Sequence, residues 1–114
     1  MEKNVKIGIL LETYGKLLTE KQYNLLDDYY NNDYSLSEIA ENLGITRQAV
    51  RDNLKKGENK LFEFEEKLGI MKTAVKQEKK MQKILSELTK IQDQFSDEQI
   101  AIILENIKQE LNTL

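Results

Sequence analysis

The stretch Ser35–Leu54, SLSEIAENLGITRQAVRDNL, decides the fold. Ser35-Leu36-Ser37-Glu38 is a capping box: the Ser35 hydroxyl accepts from the amide three residues on, and Glu38 reaches back to the Ser35 amide. The short helix it opens carries Ile39, Ala40 and Leu43 inward. Gly44 stands where a helix C-terminus takes positive φ, Ile45 fills the turn, and Thr46 caps the next helix. The spacing Ala40, Gly44, Val50 is that of a helix-turn-helix. A small residue lets two helices approach, glycine turns the chain, and a β-branched residue seals the joint. Ile39, Leu43, Ile45 and Leu54 complete the expected motif core.

Working outward, Val50, Leu54, Gly57, Leu61, Phe64 and Leu68 follow one another at steps of four and three. This heptad-like seam carries the second helix of the motif well past it, to a break at Gly69. Upstream, Ile7, Leu10, Leu11, Tyr14, Leu17 and Leu18 form one apolar helix face, with Gly15 near its end. Thr19-Glu20-Lys21-Gln22 is another capping box, opening a helix from Glu20 to Tyr30 with Tyr23, Leu26 and Tyr30 on one side. Asn31-Asn32-Asp33 ends it, since these residues tolerate left-handed backbone.

Downstream, Met81, Ile84, Leu85, Leu88, Ile91 and Phe95 share one side of a further helix. A box at Ser96-Asp97-Glu98-Gln99 opens the last, with Ile100, Ile103, Leu104, Ile107, Leu111 and Leu114 in register. The predicted class is all-α: a helix-turn-helix domain over 1–69 with a long recognition helix, then amphipathic helices over 70–114 for packing or oligomerisation.

Composition narrows the chemistry. The chain has 114 residues, no Pro, 5 Gly, no Cys and no His. Without His and Cys it lacks the commonest general base, the most reactive nucleophile and the usual zinc ligands. No glycine-rich phosphate loop or calcium-loop pattern accompanies its acids. Asp27-Asp28 and the group Asp93, Asp97, Glu98 read as solvated helix ends. No catalytic residue, metal or cofactor is expected. The run Ile7 to Leu11 is far shorter than the ~18 apolar residues that cross a bilayer. The start, Met1-Glu2-Lys3-Asn4, leads into no signal-peptide core, so the expected compartment is the cytoplasm, without membrane insertion.

If the helix from Arg47 enters a major groove, its first turns reach base edges. Arg47, Gln48 and Arg51 lie off the buried Val50 and Leu54 face. Arg bonds guanine and Gln adenine in a bidentate way, while Lys55 and Lys56 hold phosphate oxygens. Residues 46–60 carry a net charge of +3 and residues 70–92 one of +4, within a chain of net −3. Such localised fields suit phosphate, and the overall acidity makes non-specific binding weak and salt-sensitive. Lys72, Lys76, Lys79, Lys80 and Lys83 make the second basic run. The same residues also fit a solvated surface on a motif used for protein contact, and that alternative stays open.

Three stretches carry a family resemblance: Leu17-Leu18-Thr19-Glu20-Lys21-Gln22, Asp33-Tyr34-Ser35-Leu36-Ser37-Glu38-Ile39-Ala40 and Thr46-Arg47-Gln48-Ala49-Val50-Arg51-Asp52-Asn53, continued by Glu65-Glu66-Lys67-Leu68. Over roughly the first two-thirds of the chain they resemble the YlxM family, which is similar in turn to the fourth, promoter-reading region of bacterial sigma factors. The resemblance implies a winged-helix-like fold and an accessory or regulatory protein of the signal recognition particle pathway, because members' genes tend to lie beside that of the particle's GTPase subunit. It implies nucleic acid, DNA or RNA, as ligand, and the particle's GTPase or RNA as a further partner. Arg47, Gln48 and Arg51 match positions that contact DNA in the sigma region. Asp52 departs from the pattern, standing where a neutral amide commonly reads a base.

Two partner readings follow. In one, Arg47, Gln48, Arg51, Lys55 and Lys56 bind nucleic acid. In the other, the protein is an adaptor whose C-terminal helices dock on the GTPase. In either case the wide apolar faces of those helices favour a two-fold homodimer or packing back on the first four helices.

Overall fold

The computed structural model describes residues 1–113; the expected register position Leu114 lies outside the described residues. Six helices follow one another: α1 (Lys3–Tyr14), α2 (Glu20–Tyr30), α3 (Leu36–Leu43), α4 (Arg47–Leu68), α5 (Ile70–Gln94) and α6 (Glu98–Asn112), with a 3-10 turn at Gly15–Leu17. Among the described residues there is no strand, so the helix-turn-helix carries no wing, and no helix is long and apolar enough to cross a membrane.

Local side-chain chemistry sets most boundaries. At the start of α2, Gln22 N donates to Thr19 Oγ1 and Thr19 N to Gln22 Oε1, both at 3.2 Å. The Ser35–Glu38 box repeats this at the start of α3, at 3.1 and 3.3 Å. Thr46 Oγ1 accepts from Ala49 N at 3.0 Å to open α4. Gly44 ends α3 at φ +67°, and Ile45 N returns to the Ala40 carbonyl at 3.0 Å. After α2, Asp33 takes the left-handed backbone, φ +57°. One expected box is different: α6 is capped by Asp97, whose carboxylate accepts from Gln99 N and Ile100 N, and not by Ser96. A charged acceptor at the positive helix end outcompetes a hydroxyl one residue earlier.

The chain divides into two compact units, Met1–Lys72 and Thr73–Leu114. In the first, α4 is the spine against which α1, α2 and α3 pack. Ile7, Leu10, Leu11 and Tyr14 of α1, Leu25 and Leu26 of α2, Ile39 and Ala40 of α3, and Val50, Leu54 and Leu61 of α4 are buried. At Gly57 α2 and α4 pack closely: a Cβ there would stand 2.9 Å from Leu26 Cδ1, inside van der Waals contact. Two ends of the expected stripes are outside this core. Leu17 is 57 % exposed because the 3-10 turn ends the α1 periodicity, and Leu68, also 57 % exposed, lies past the last partner of the α4 seam. Tyr23, expected on the side of α2 that carries Leu26, is 38 % exposed, and Leu25 is buried beside Leu26 in its stead.

Where α4 ends, at Gly69 with φ +62°, a polar cluster fixes the next turn. Tyr14 Oη donates to Glu65 Oε1 at 2.7 Å and accepts from Ile70 N at 3.1 Å. Glu65 also accepts from Met71 N and Lys72 N, at 2.9 and 3.1 Å. Three opening amides of α5, which have no partner within the helix, are thus satisfied from α1 and α4, and the first turn of α5 belongs to the first unit. Burial pushes the Glu65 carboxyl up, but the Tyr14 hydroxyl, the two amides and the Lys6 charge outweigh it and hold the carboxyl below its ordinary range. Burial pushes the Tyr14 hydroxyl up, and the bond to Glu65 adds to this.

A carboxyl whose folded pKa lies below its unfolded value lends stability above the unfolded value and loses it as pH falls through the folded one. Thermal melts are therefore expected to lose more Tm between about pH 7 and pH 3 in the wild-type chain than in Glu65→Gln, which has no carboxyl to protonate. Equal losses would remove the cluster from the acid sensitivity of the fold.

In the second unit, Leu104 of α6 is buried and Lys108 Nζ donates to Gln92 Oε1 at 2.9 Å. Met81, Leu85 and Leu88 are half-buried, as is Leu111. Ile84, Ile91 and Phe95, together with Ile102, Ile103 and Ile107, are exposed, so the expected apolar faces are only partly covered.

Candidate nucleic-acid interface

The first turns of α3 and α4 meet in one place. Leu36 and Ser37, just inside the Ser35 cap, and Thr46, Arg47, Gln48 and Arg51 line a cavity of about 650 Å³. The N-terminal end of a helix carries the positive end of its dipole and amides without helical partners, which favours anions. Here two such ends share a cleft with two guanidinium groups. Arg47, Gln48 and Arg51 are exposed. Among the described residues the ion pairs are Lys60–Glu63 and Lys90–Glu87, so neither arginine, nor Lys55 or Lys56, is neutralised by a carboxylate.

Asp52, the departure from the sigma pattern, has a partner: Gln48 Nε2 donates to its Oδ1 at 2.9 Å. The bond is a helical i, i+4 contact. It draws the acid along α4 toward Gln48 and occupies one of the two amide hydrogens with which Gln48 would read adenine.

The five expected contact residues do not share one surface. Arg47, Gln48 and Arg51 lie together. Arg51 and Lys55 line an adjoining cavity of about 430 Å³ with Lys3 of α1, Tyr29 and Tyr30 of α2 and Glu58 of α4. Burial pushes the Glu58 carboxyl up, the charge of Lys3 draws it down, and the Tyr30 hydroxyl donates to it. Lys56 lies on another side of α4, roughly two and a half turns after Arg47, and lines a third cavity with Leu43 and Ile45. Leu43 and Ile45 are themselves a correction to the motif core. Ile39, Ala40, Val50 and Leu54 are buried, and Gly44 makes the turn, but Leu43 is 59 % and Ile45 38 % exposed. They flank the turn at the open end of α3, where α2 offers polar side chains (Lys21, Gln22, Asn24) as their neighbours.

Leu36, Ser37 and Lys3 were not among the sequence candidates. The first two carried a signal, since capping residues at Ser35 and Thr46 already locate two helix starts. Lys3 carried none, because its place beside Arg51 depends on how α1 packs. On α5, Lys72, Lys76, Lys79, Lys80 and Lys83 are all exposed, at spacings that put them along one side of the helix.

A family described as "Putative helix-turn-helix protein, YlxM / p13 like" (UPF0122) matches residues 1–109. The chain is 40 % identical over 114 residues to a UPF0122 protein of Acetivibrio thermocellus, covering 100 % of this chain and 97 % of that one. It is 39 % identical over 107 residues to a UPF0122 protein of Fusobacterium nucleatum, covering 94 % and 97 %. A UPF0122 protein of Streptococcus gordonii is 41 % identical over 103 residues, covering 90 % and 92 %.

Proposed function

Since the chain belongs to the UPF0122 family, YlxM / p13 like, we propose that it is a cytoplasmic nucleic-acid-binding accessory or regulatory protein that takes part in the signal recognition particle pathway. The observation that carries this reading is the cleft where exposed Arg47, Gln48 and Arg51, the two arginines without an ion pair among the described residues, meet the first turns of two helices. Arg47 and Arg51 hold phosphate or guanine, and Lys55 and Lys3 extend the positive track into the adjoining cavity. The lysine side of α5 adds a second phosphate-binding stretch. The reading gives the protein no catalytic step and no cofactor. Self-association as a homodimer through the apolar residues of α5 and α6 belongs to it, because an exposed aliphatic row of this kind is costly to leave in water.

A second reading is favoured by the exposed Ile84, Ile91, Phe95, Ile103 and Ile107: an adaptor that docks these helices on the particle's GTPase. A pull-down from cell extract separates the two. Under the first reading the GTPase and its RNA are recovered together and are lost on nuclease treatment. Recovery of the GTPase that persists after nuclease, and after removal of the charges at Arg47 and Arg51, would replace the first reading with the second.

A further inference from the structure

We propose that the apolar groove beside the turn of the helix-turn-helix is a docking site for α6 of a second copy of this chain. The proposal rests on the self-association put forward above and names its surfaces. Leu43 and Ile45, two aliphatic residues at positions that a helix-turn-helix ordinarily buries, are 59 % and 38 % exposed. With Leu25 beneath them they line a cavity of about 460 Å³ edged by Lys21, Asn53 and Lys56. Leu25, Leu43 and Ile45 give it an aliphatic floor, Gln22, Asn24 and Asn53 polar sides, and its charged edge is basic. Those features suit the apolar side of an acidic helix, the helix-in-groove mode of recognition, and do not suit a phosphate.

The chain carries such a helix. On α6, Ile103 and Ile107 stand one turn apart, are 58 % and 39 % exposed, and border a shallow hollow with Glu110. Over α6, Glu98, Glu105 and Glu110 against Lys108 give net −2, and the charged residues of the groove are Lys21 and Lys56. Opposite charge orients the approach, and the aliphatic pair supplies the area removed from water. When each copy lends its α6 to the groove of the other, the exchange closes at two copies by two-fold symmetry. Lys56 then lies under the partner's helix, which leaves Arg47, Gln48 and Arg51 as the face that meets nucleic acid.

The chain contains no Cys, so introduced thiols report contacts without background. Full-length Ile45→Cys and Ile107→Cys proteins, mixed and mildly oxidised, are expected to give at least tenfold more covalent dimer than either alone, since a disulfide needs its Cβ atoms within about 4.5 Å. Light scattering of the wild-type chain is expected to show a dimer. Lys21→Glu is expected to raise the dimer dissociation constant about tenfold, and Glu110→Lys in the same chain to restore it, as a charge pair across the groove requires. Retained circular dichroism for each variant separates these effects from unfolding. Cross-linking of Ile107→Cys alone, equal to that of the mixture, would mean that the tails pair with one another: self-association would stand and the groove would fall. An internal disulfide in the double-cysteine chain, with a monomeric mass, would place α6 on its own groove and overturn the proposal. A monomer at all concentrations without any cross-link would remove self-association as well.

Discussion

Replacing Arg47 and Arg51 together by Ala is expected to abolish measurable DNA or RNA binding while leaving the helical circular dichroism spectrum intact. Both side chains are exposed and neither takes part in a cap, an ion pair or a core contact among the described residues. Their removal therefore costs the fold little, as surface substitutions of this kind usually stay within about 0.5 kcal/mol. Each arginine contact to a base is worth about 1–3 kcal/mol, so losing both lowers affinity by roughly thirtyfold to ten-thousandfold. Fluorescence anisotropy at low salt measures this directly. Lys56→Ala, on another side of α4, is expected to change affinity less than Lys55→Ala. Unchanged affinity in the double-arginine variant would show the contact set to be wrong.

The largest expected loss of stability is at Leu26. Its side chain is wholly buried and lies against Gly57, at the crossing of α2 and α4. Leu26→Ala leaves a cavity beside Gly57, whose lack of a side chain offers nothing to fill it, with an expected cost of about 2–5 kcal/mol. A domain the size of the first unit has a total stability of roughly 4–11 kcal/mol, so this one substitution takes a large share of it. Urea denaturation followed by circular dichroism measures the cost. Leu17→Ala is the matched control: it removes the same atoms from a residue that is 57 % exposed, and its expected effect is within about 0.5 kcal/mol. Comparable losses at the two positions would contradict the packing described for α2 and α4.

What could be read from the sequence depended on distance along the chain. Caps at Thr19, Ser35 and Thr46 were legible because donor and acceptor are three residues apart, and Gly44 and Gly69 because positive φ selects the residue type. The bounds of α2 follow from such signals alone. The choice of Asp97 over Ser96 was not legible from the box pattern, which Ser96 satisfies with Gln99 and Asp97 does not; it turns on which oxygen reaches the free amides. Exposure at Leu17, Leu43, Ile45 and Leu68 was hidden for another reason. Periodicity states which residues share a side of a helix, but only packing decides whether a neighbour covers that side. The Tyr14–Glu65 bond joins residues 51 apart in the chain, and no local pattern announces it. For the candidate interface, Arg47, Gln48 and Arg51 were legible as a group because they share the start of one helix. The separation of Lys56 from them was also readable, from its angular position on α4. The contributions of Ser37 and Lys3 required α3 and α1 to be placed against α4.

The cleft between the first turns of α3 and α4 is the surface proposed to meet nucleic acid. A photoreactive amino acid at Gln48, irradiated in living cells, tests it most directly, because Gln48 lines that cleft and lies outside the core. The expected adducts carry nucleic acid and shrink to the mass of the chain after nuclease digestion. Adducts that consist of protein and keep their size through digestion would contradict it.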